Sequence, residues 1–190
     1  MKKVFSMIGL LLLTSILMVG CGAAQPKDTV KDFFTAFKDG NLKKASTYVK
    51  GDIDLTRNGD AAENKKVLEA ISKRFSFEEP KEVSNEKDKA VVSVKVKSVD
   101  VSEVFKKVIE EMKPQLSSGK ITDQEEMNKM VSDLLIKHMQ DKDIDLVSRT
   151  EKLNLKKNKD GEYKILSDDN FRNAFFANQD KVQGILQGME

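Results

Sequence analysis

The chain has 190 residues, of which 33 are basic and 31 acidic, with one histidine and one cysteine. A single cysteine excludes an intramolecular disulfide, and one histidine beside that cysteine is too small a ligand set for a zinc site. Without its first 20 residues the chain would keep 170, the size of one ordinary domain with its own core.

The first 21 residues have the layout of an export signal. A basic start, Met1–Lys3, precedes a mostly apolar run over residues 4–19, and Gly20 and Cys21 follow. The run has about 16 residues, fewer than the roughly 20 that a membrane-spanning helix needs. We therefore interpret residues 1–20 as a signal peptide, with a permanent membrane-spanning segment as the alternative.

The tetrapeptide Met18–Cys21 resembles the lipobox of bacterial lipoproteins, where leucine is more usual at the first position. The resemblance implies diacylglyceryl transfer to the Cys21 thiol, cleavage between Gly20 and Cys21, and a lipidated tether over residues 21–25. Two acyl chains are enough for stable anchoring. The alternative is a secreted protein in which the cysteine occurs at this position by chance. We expect a protein anchored by its N-terminal lipid to the outer face of the cell membrane, and the lysine-rich chain fits a Gram-positive host.

The charges give no sign of a nucleic-acid partner. Removing the signal peptide takes away Lys2 and Lys3, so 31 basic residues then stand against 31 acidic ones and the net charge falls from +2 to zero. Nucleic-acid binding requires basic residues concentrated on one face, whereas here the two signs are interspersed. The charged residues therefore indicate a solvated surface.

An apolar stripe at helical spacing predicts an amphipathic first helix that ends near Asp39–Gly40. The stripe consists of Val30, Phe33, Phe34 and Phe37. Asn41 is placed to cap a second, shorter helix. Asp60 with Glu63 resembles a capping box that opens a third helix, with Phe75 on its apolar side and an end before Pro80.

A valine alternation predicts the clearest strand. Its inward residues are Val92, Val94 and Val96. Because Val99 and Val101 continue in the opposite phase, we predict a bulge or a strand end near Lys97–Ser98. A shorter strand is predicted from Lys81 to Val83, followed by a polar turn from Ser84 to Lys89.

A helical pair is predicted next. Its first helix starts at Val101 and ends at Pro114 with the Ser117–Gly119 turn, and its second opens with a Thr122–Glu125 capping pattern. We expect the two helices to be antiparallel. The methionines of the pair favour core packing over a pliable binding groove. They are Met112, Met127, Met130 and Met139.

Two extended segments, 145–156 and 162–166, are joined by Asn158–Gly161, and an Asp-Gly turn between such segments indicates a hairpin. Residues 168–190 are predicted to form a C-terminal helix with a frayed end. Strands joined by hairpins, together with five or six helices, predict an α+β fold with an antiparallel sheet.

Two segments resemble nuclear-transport-factor-2-like domains. Asp28–Ala45 resembles the first helix, turn and second helix, and Thr150–Leu166 resembles the closing hairpin, with Tyr163 where tryptophan is frequent. The resemblance covers residues 26–167 and makes the helical pair, about residues 101–141, an insertion. It implies a curved antiparallel sheet packed on the N-terminal helices as a cone with a cavity, but no activity.

Patterns that would indicate catalysis or metal binding fail. His138 lies in step with an apolar helix face, so we interpret it as a half-buried packing residue rather than a base or ligand. The acidic run Asp141–Asp145 begins like a calcium loop, but Leu146 and Lys152 replace the required glycine and glutamate, which favours a polar helix-to-strand connection. With no nucleophile elbow or glycine-rich phosphate loop, we expect no cofactor and no metal.

The sequence favours a non-enzymatic, lipid-anchored binding module of the cell envelope, whose partner is a small apolar ligand or an envelope protein. One alternative is an isomerase or hydrolase with an apolar pocket, for which Tyr48 or Tyr163 would supply the hydrogen-bond donor. The other is a purely structural interaction domain with a filled cone. No ligand-binding residue is singled out, and the oligomeric state stays open.

Overall fold

The computed structural model describes residues 25–51, 61–119 and 123–187. The predicted signal peptide, its Gly20–Cys21 cleavage site and most of the tether lie outside these residues. So do Asp60, Thr122 and the side chains of residues 61–64. Among the described residues, no helix combines the length and the apolar character needed to cross a membrane.

The described chain has seven helices and five strands. In chain order they are α1 (Pro26–Lys38), α2 (Leu42–Ser46), α3 (Ala61–Arg74), β1 (Ser76–Phe77), β2 (Lys81–Glu86), β3 (Lys89–Val99), α4 (Val101–Ser117), α5 (Gln124–Gln140), β4 (Leu146–Lys157), β5 (Tyr163–Ile165), α6 (Asp169–Asn173) and α7 (Gln179–Gln187). The predicted α+β class is confirmed.

The strands form one curled antiparallel sheet, a half-barrel. β3 pairs with β4 along its whole length, from Lys89 opposite Lys156 to Val99 opposite Leu146. β1 and β2 both pair with the other edge of β3, and β5 pairs with β4. In the chain, α4 and α5 are inserted between β3 and β4, as predicted, although these strands are neighbours in the sheet. The two helices therefore lie at the end of the sheet where β3 stops and β4 begins.

Six buried phenylalanines of the described chain form the centre of the core, where α1 packs against the sheet. They are Phe33, Phe34, Phe37, Phe75, Phe171 and Phe175. The ring centroids of Phe37 and Phe175 are 4.7 Å apart, and those of Phe34 and Phe75 are 5.2 Å apart. Such aromatic pairs contribute about 0.5–1.5 kcal/mol beyond the area that they bury. The predicted apolar stripe of α1 therefore provides the main surface that packs against the sheet.

Several helix ends differ from the predictions. α2 is capped by Asn41 as predicted, with its side chain accepting from the Lys44 amide at 3.0 Å. α4 continues through Pro114 to its C-terminal end, although the proline was predicted to stop it. The carbonyl that Pro114 leaves unbonded belongs to Glu110, which is exposed, so water can replace the missing hydrogen bond. α5 is capped by Asp123, one residue after the predicted Thr122.

The C-terminal region is two short helices rather than the one predicted over residues 168–190. Ala177, between α6 and α7, forms an isolated bridge with Asp100, and Asn178 has a φ of +59°. A positive φ interrupts a right-handed helix, and asparagine is one of the few residues that adopt it readily. The break is therefore imposed by a contact with the start of α4.

Of the two alternatives predicted near Lys97–Ser98, the strand end is confirmed and the bulge is not, because the register between β3 and β4 is continuous up to the end of β3. Ser98 keeps the inward phase of the strand and is fully buried, and the strand ends one residue later at Val99. A bulge lies instead in β2, between Glu82 and Ser84. β2 is also longer than predicted, which confines the turn to the two residues 87–88.

Candidate functional site

The inward face of β4 changes from apolar to charged along the strand. Leu153 and Leu155 are buried in the core, and the next two inward residues toward the start of the strand are Glu151 and Arg149. Their side chains are 15% and 18% exposed. They line a cavity of about 520 Å³, called here the polar pocket. Small-molecule sites have volumes of about 300–1,000 Å³.

The opposite wall of the polar pocket is formed by the end of α6, the α6–α7 connection and the first turns of α7. This wall contributes four amide side chains, one carboxylate and one aromatic ring. They belong to Asn173, Phe176, Asn178, Gln179, Asp180 and Gln183. The pocket is therefore lined mainly by hydrogen-bonding groups.

The guanidinium of Arg149 is bonded to surrounding protein groups. Both terminal nitrogens donate to the Ser98 hydroxyl at 3.1 Å, and Nε donates to the Asn173 carbonyl at 2.9 Å. Nε also lies 3.2 Å from a carboxylate oxygen of Glu151. The buried hydroxyl of Ser98 thus has a partner, and the donors of Arg149 are largely occupied.

Burial shifts the pKa values of the charged pair toward the neutral forms. The pKa of Arg149 is lowered by burial, which the charge of Glu151 opposes. The pKa of Glu151 is raised by burial, which the charge of Arg149 opposes. The floor of the polar pocket is thus a weakly hydrated place where two charges compensate each other.

Asp100 ties the pocket wall to the start of α4. Its carboxylate accepts from the Ser102 amide at 2.9 Å and from the side-chain amide of Asn178. The Val101 amide donates to the Ala177 carbonyl at 3.1 Å. Burial alone would raise the pKa of Asp100, but hydrogen bonds from Ser102 and Asn178 bring it below its ordinary value. Asp100 is both the cap of α4 and a latch for the α6–α7 connection.

A second, apolar pocket of about 350 Å³ adjoins the polar pocket between α3, α4, α5 and α7. The two pockets share Phe176, Gln179 and Gln183. We call the two together the groove, which runs along α7. The apolar wall is built from Val67, Val101, Phe105, Leu135, Met139 and Val182.

His138 is more deeply buried than predicted, with 4% of its surface exposed. Its Nε2 lies 3.1 Å from Glu111 and its Nδ1 3.9 Å from Asp141, but neither nitrogen makes a well-directed hydrogen bond within the described chain. Lys137 pairs with Glu111 and Lys107 with Asp141, which fixes α4 and α5 as antiparallel, as predicted. His138 is part of this helix pair and not of the groove.

Other residues singled out from the sequence also lie outside the groove. The hydroxyl of the buried Tyr163 donates to Asn85, and Tyr48 is half-buried just after α2. Asp141 accepts from the Asp143 amide at 3.0 Å within the polar connection between α5 and β4, as expected. Within the described ranges, no cluster of three histidine, cysteine or acidic side chains is placed to hold a metal ion.

Arg149 and Glu151 were not singled out from the sequence, although a signal for them exists. In the segment 145–156 the inward phase that carries Leu153 and Leu155 also carries these two charged residues. A charged residue in the inward phase of a strand indicates either a buried pair or a site. The facing wall on α7 has no such signal, because only the curl of the sheet brings it opposite β4.

Comparison with known proteins places the chain in a family. A model described as a domain of unknown function, DUF5105, matches residues 22–177. The chain belongs to this family. The matched residues include β4 and Asp100 and end just before Asn178, so most of the α7 wall of the groove lies beyond the match.

One similar solved structure is the crystal structure of a candidate lipoprotein, ycdA, from Bacillus subtilis. It is 23% identical, with a TM-score of 0.46, and the alignment covers 82% of this chain and 48% of that chain. This chain therefore spans about half the length of that one. The search of curated proteins found no match. The resemblance to nuclear-transport-factor-2-like domains stays a prediction.

Proposed function

We propose that the protein is a non-enzymatic, lipid-anchored binding module on the outer face of the cell membrane, and that its ligand binds in the groove. The observation that carries the binding role is the charged pair Arg149–Glu151 on the inward sheet face, at the wall of a 520 Å³ cavity. A buried pair is often no more stabilising than apolar residues of the same volume. Its position at a cavity supports a role in recognition.

The proposed anchor rests on the lipobox of residues 18–21. The test is intact-protein and N-terminal peptide mass analysis of the full chain expressed in a bacterial host, compared with Cys21→Ala. We expect a wild-type N-terminus at a diacylated Cys21 that is absent from the variant. An unmodified N-terminus at another residue would overturn the anchor and the location together.

The proposed groove is tested with two matched variants on α7. Gln183→Trp places a large side chain in the shared wall of both pockets, whereas Gln187→Trp makes the same change one turn later, outside the pocket walls. The full chain in detergent is screened by ligand-observed NMR with neutral sugars, alkylamines and small carboxylates. We expect at least one class to bind to wild type and Gln187→Trp but not to Gln183→Trp. Binding that Gln183→Trp leaves intact for every class would overturn the groove as the site.

A further inference from the structure

We propose that the polar pocket takes a neutral, polyhydroxylated ligand of the sugar class. This inference rests on the proposed function and specifies the chemistry of the same groove. Three features of the pocket support it: the charge balance of its floor, the mixed hydrogen-bonding character of its amides and an aromatic ring at its border.

The balanced charges of the floor disfavour a charged ligand there. Asp180, the third charged side chain of the lining, is exposed on α7, so its charge is screened by water. The carboxylate of Glu151 already has Arg149 as its counter-ion at 3.2 Å, and both side chains are mostly withdrawn from water. A bound anion would need free donors on Arg149, whose nitrogens are occupied by Ser98, the Asn173 carbonyl and Glu151. A bound cation would leave the guanidinium facing a second positive charge in weakly hydrated surroundings. A hydroxyl of a neutral ligand can donate to a remaining lone pair of Glu151 without displacing Arg149.

The amides of the facing wall offer both donors and acceptors. The Asn173 oxygen already accepts from Gln179, and the Asn178 nitrogen already donates to Asp100. An amide nitrogen carries two N–H groups, so the described chain still offers donors on all four amide nitrogens and acceptors on the oxygens of Asn178, Gln179 and Gln183. Hydroxyl groups donate and accept at once, so several hydroxyls on one ligand match this mixture better than amines or carboxylates do.

The aromatic ring of Phe176 gives the pocket a flat apolar border. Phe176 is half-buried and belongs to the walls of both pockets. Aromatic side chains supply a large rigid contact surface, which the C–H face of a sugar ring can cover while its hydroxyls reach the amides. The ring therefore adds the apolar contact that a purely hydrogen-bonded site in water lacks.

The test is isothermal titration calorimetry of the full chain in detergent with glucose and N-acetylglucosamine, and with butylamine, acetate and inorganic phosphate as charged probes. We expect saturable binding of a sugar only. Gln183→Trp is expected to weaken this binding by about tenfold or more, and Gln187→Trp to leave it unchanged. Thermal unfolding of both variants checks that they fold alike.

Two substitutions of Glu151 separate a hydroxyl ligand from a cationic one. Glu151→Gln removes the charge but keeps an acceptor, so sugar binding should persist within about threefold, whereas Glu151→Leu should abolish it. Binding of butylamine in place of a sugar, lost in both variants, would indicate a cationic ligand and overturn the sugar class. If an amine or an anion binds, Gln183→Trp weakens that binding and sugars do not bind, the sugar class is wrong but the groove is still the binding site. If no probe binds there, both proposals fail.

Discussion

The two ends of the inward sheet face differ in chemistry although the same two strands build both. At one end Leu153 and Leu155 of β4 are buried with the valines of β3 against the phenylalanines of α1. At the other end the same strands present Ser98, Arg149 and Glu151 to α7. The inward face of this continuous strand pair thus changes from core to pocket between Leu153 and Glu151, which are two residues apart on β4.

Strand pairing therefore sets the direction of these side chains, and the helix opposite them sets their role. The apolar stripe of α1 is buried along its length, so it shields the part of the sheet beneath it from water. α7 has no fully buried residue, and the part of the wall that it provides is mostly polar. We expect the apolar end to dominate stability and the polar end to dominate binding.

The largest effect should follow removal of a ring from the apolar end. Phe34→Ala is expected to cost about 3–5 kcal/mol of unfolding free energy, because Phe34 is fully buried against Phe33 and Phe75. Urea unfolding followed by circular dichroism measures it. Val83→Ala is the control, since Val83 is 53% exposed and should change stability by less than about 0.5 kcal/mol. Equal costs in the two variants would contradict the core assignment.

The polar end should respond differently to single and double changes. Arg149→Met should cost about 2 kcal/mol, because it leaves Glu151 without its counter-ion and Ser98 without a donor, with some relief from residual exposure. Arg149→Met combined with Glu151→Leu should return stability to within about 1 kcal/mol of wild type. Urea unfolding of the two variants measures the pattern. A double variant as unstable as the single one would show that the pair stabilises the fold, and would contradict the assignment of the polar end to binding.

The latch at Asp100 should give a smaller and pH-dependent effect. Asp100→Ala is expected to cost about 1–2 kcal/mol at neutral pH through the lost cap of α4 and the lost bond to Asn178. The pKa of Asp100 lies below its ordinary value of 3.8, so this stability is present above pH 3.8 and disappears as pH falls through the lowered pKa.

Urea unfolding between pH 3 and 7 measures that difference. Asp123→Ala is the matched control, because Asp123 caps α5 at an exposed position and makes no latch, so its cost should be about 0.5 kcal/mol. A cost for Asp100→Ala that stays constant down to pH 3 would show that the charged carboxylate is not the stabilising form.

The smallest effect is expected at His138. His138→Leu should change stability by less than about 1 kcal/mol at pH 8, because the buried imidazole makes no well-directed hydrogen bond and leucine has a similar volume. Thermal unfolding measures it, with Glu111 still paired to Lys137 in the variant. A loss well above 2 kcal/mol would assign His138 a polar structural role in the helix pair.

Elements whose burial follows a local period were predicted from the sequence. The stripe of α1, the alternation of β3 and the two helices α4 and α5 belong to this group, because helix and strand periodicities record which side of each element faces the core. The closing hairpin was predicted from its Asp-Gly turn, and the placing of α4 and α5 as an insertion came from the family resemblance. The Asn41 cap was also predicted, because its hydrogen bond spans only three residues and is therefore local.

Tertiary contacts determine where helices end against their neighbours and where the groove lies. α4 passes Pro114 because its exposed side tolerates a missing hydrogen bond, and the break before α7 depends on Asp100 holding Asn178. The polar pocket requires β4 and α7 to face each other across a curled sheet. β4 and α7 are far apart in sequence, and α7 is placed by its packing against α4 rather than by local propensity, so no local pattern encodes the pocket.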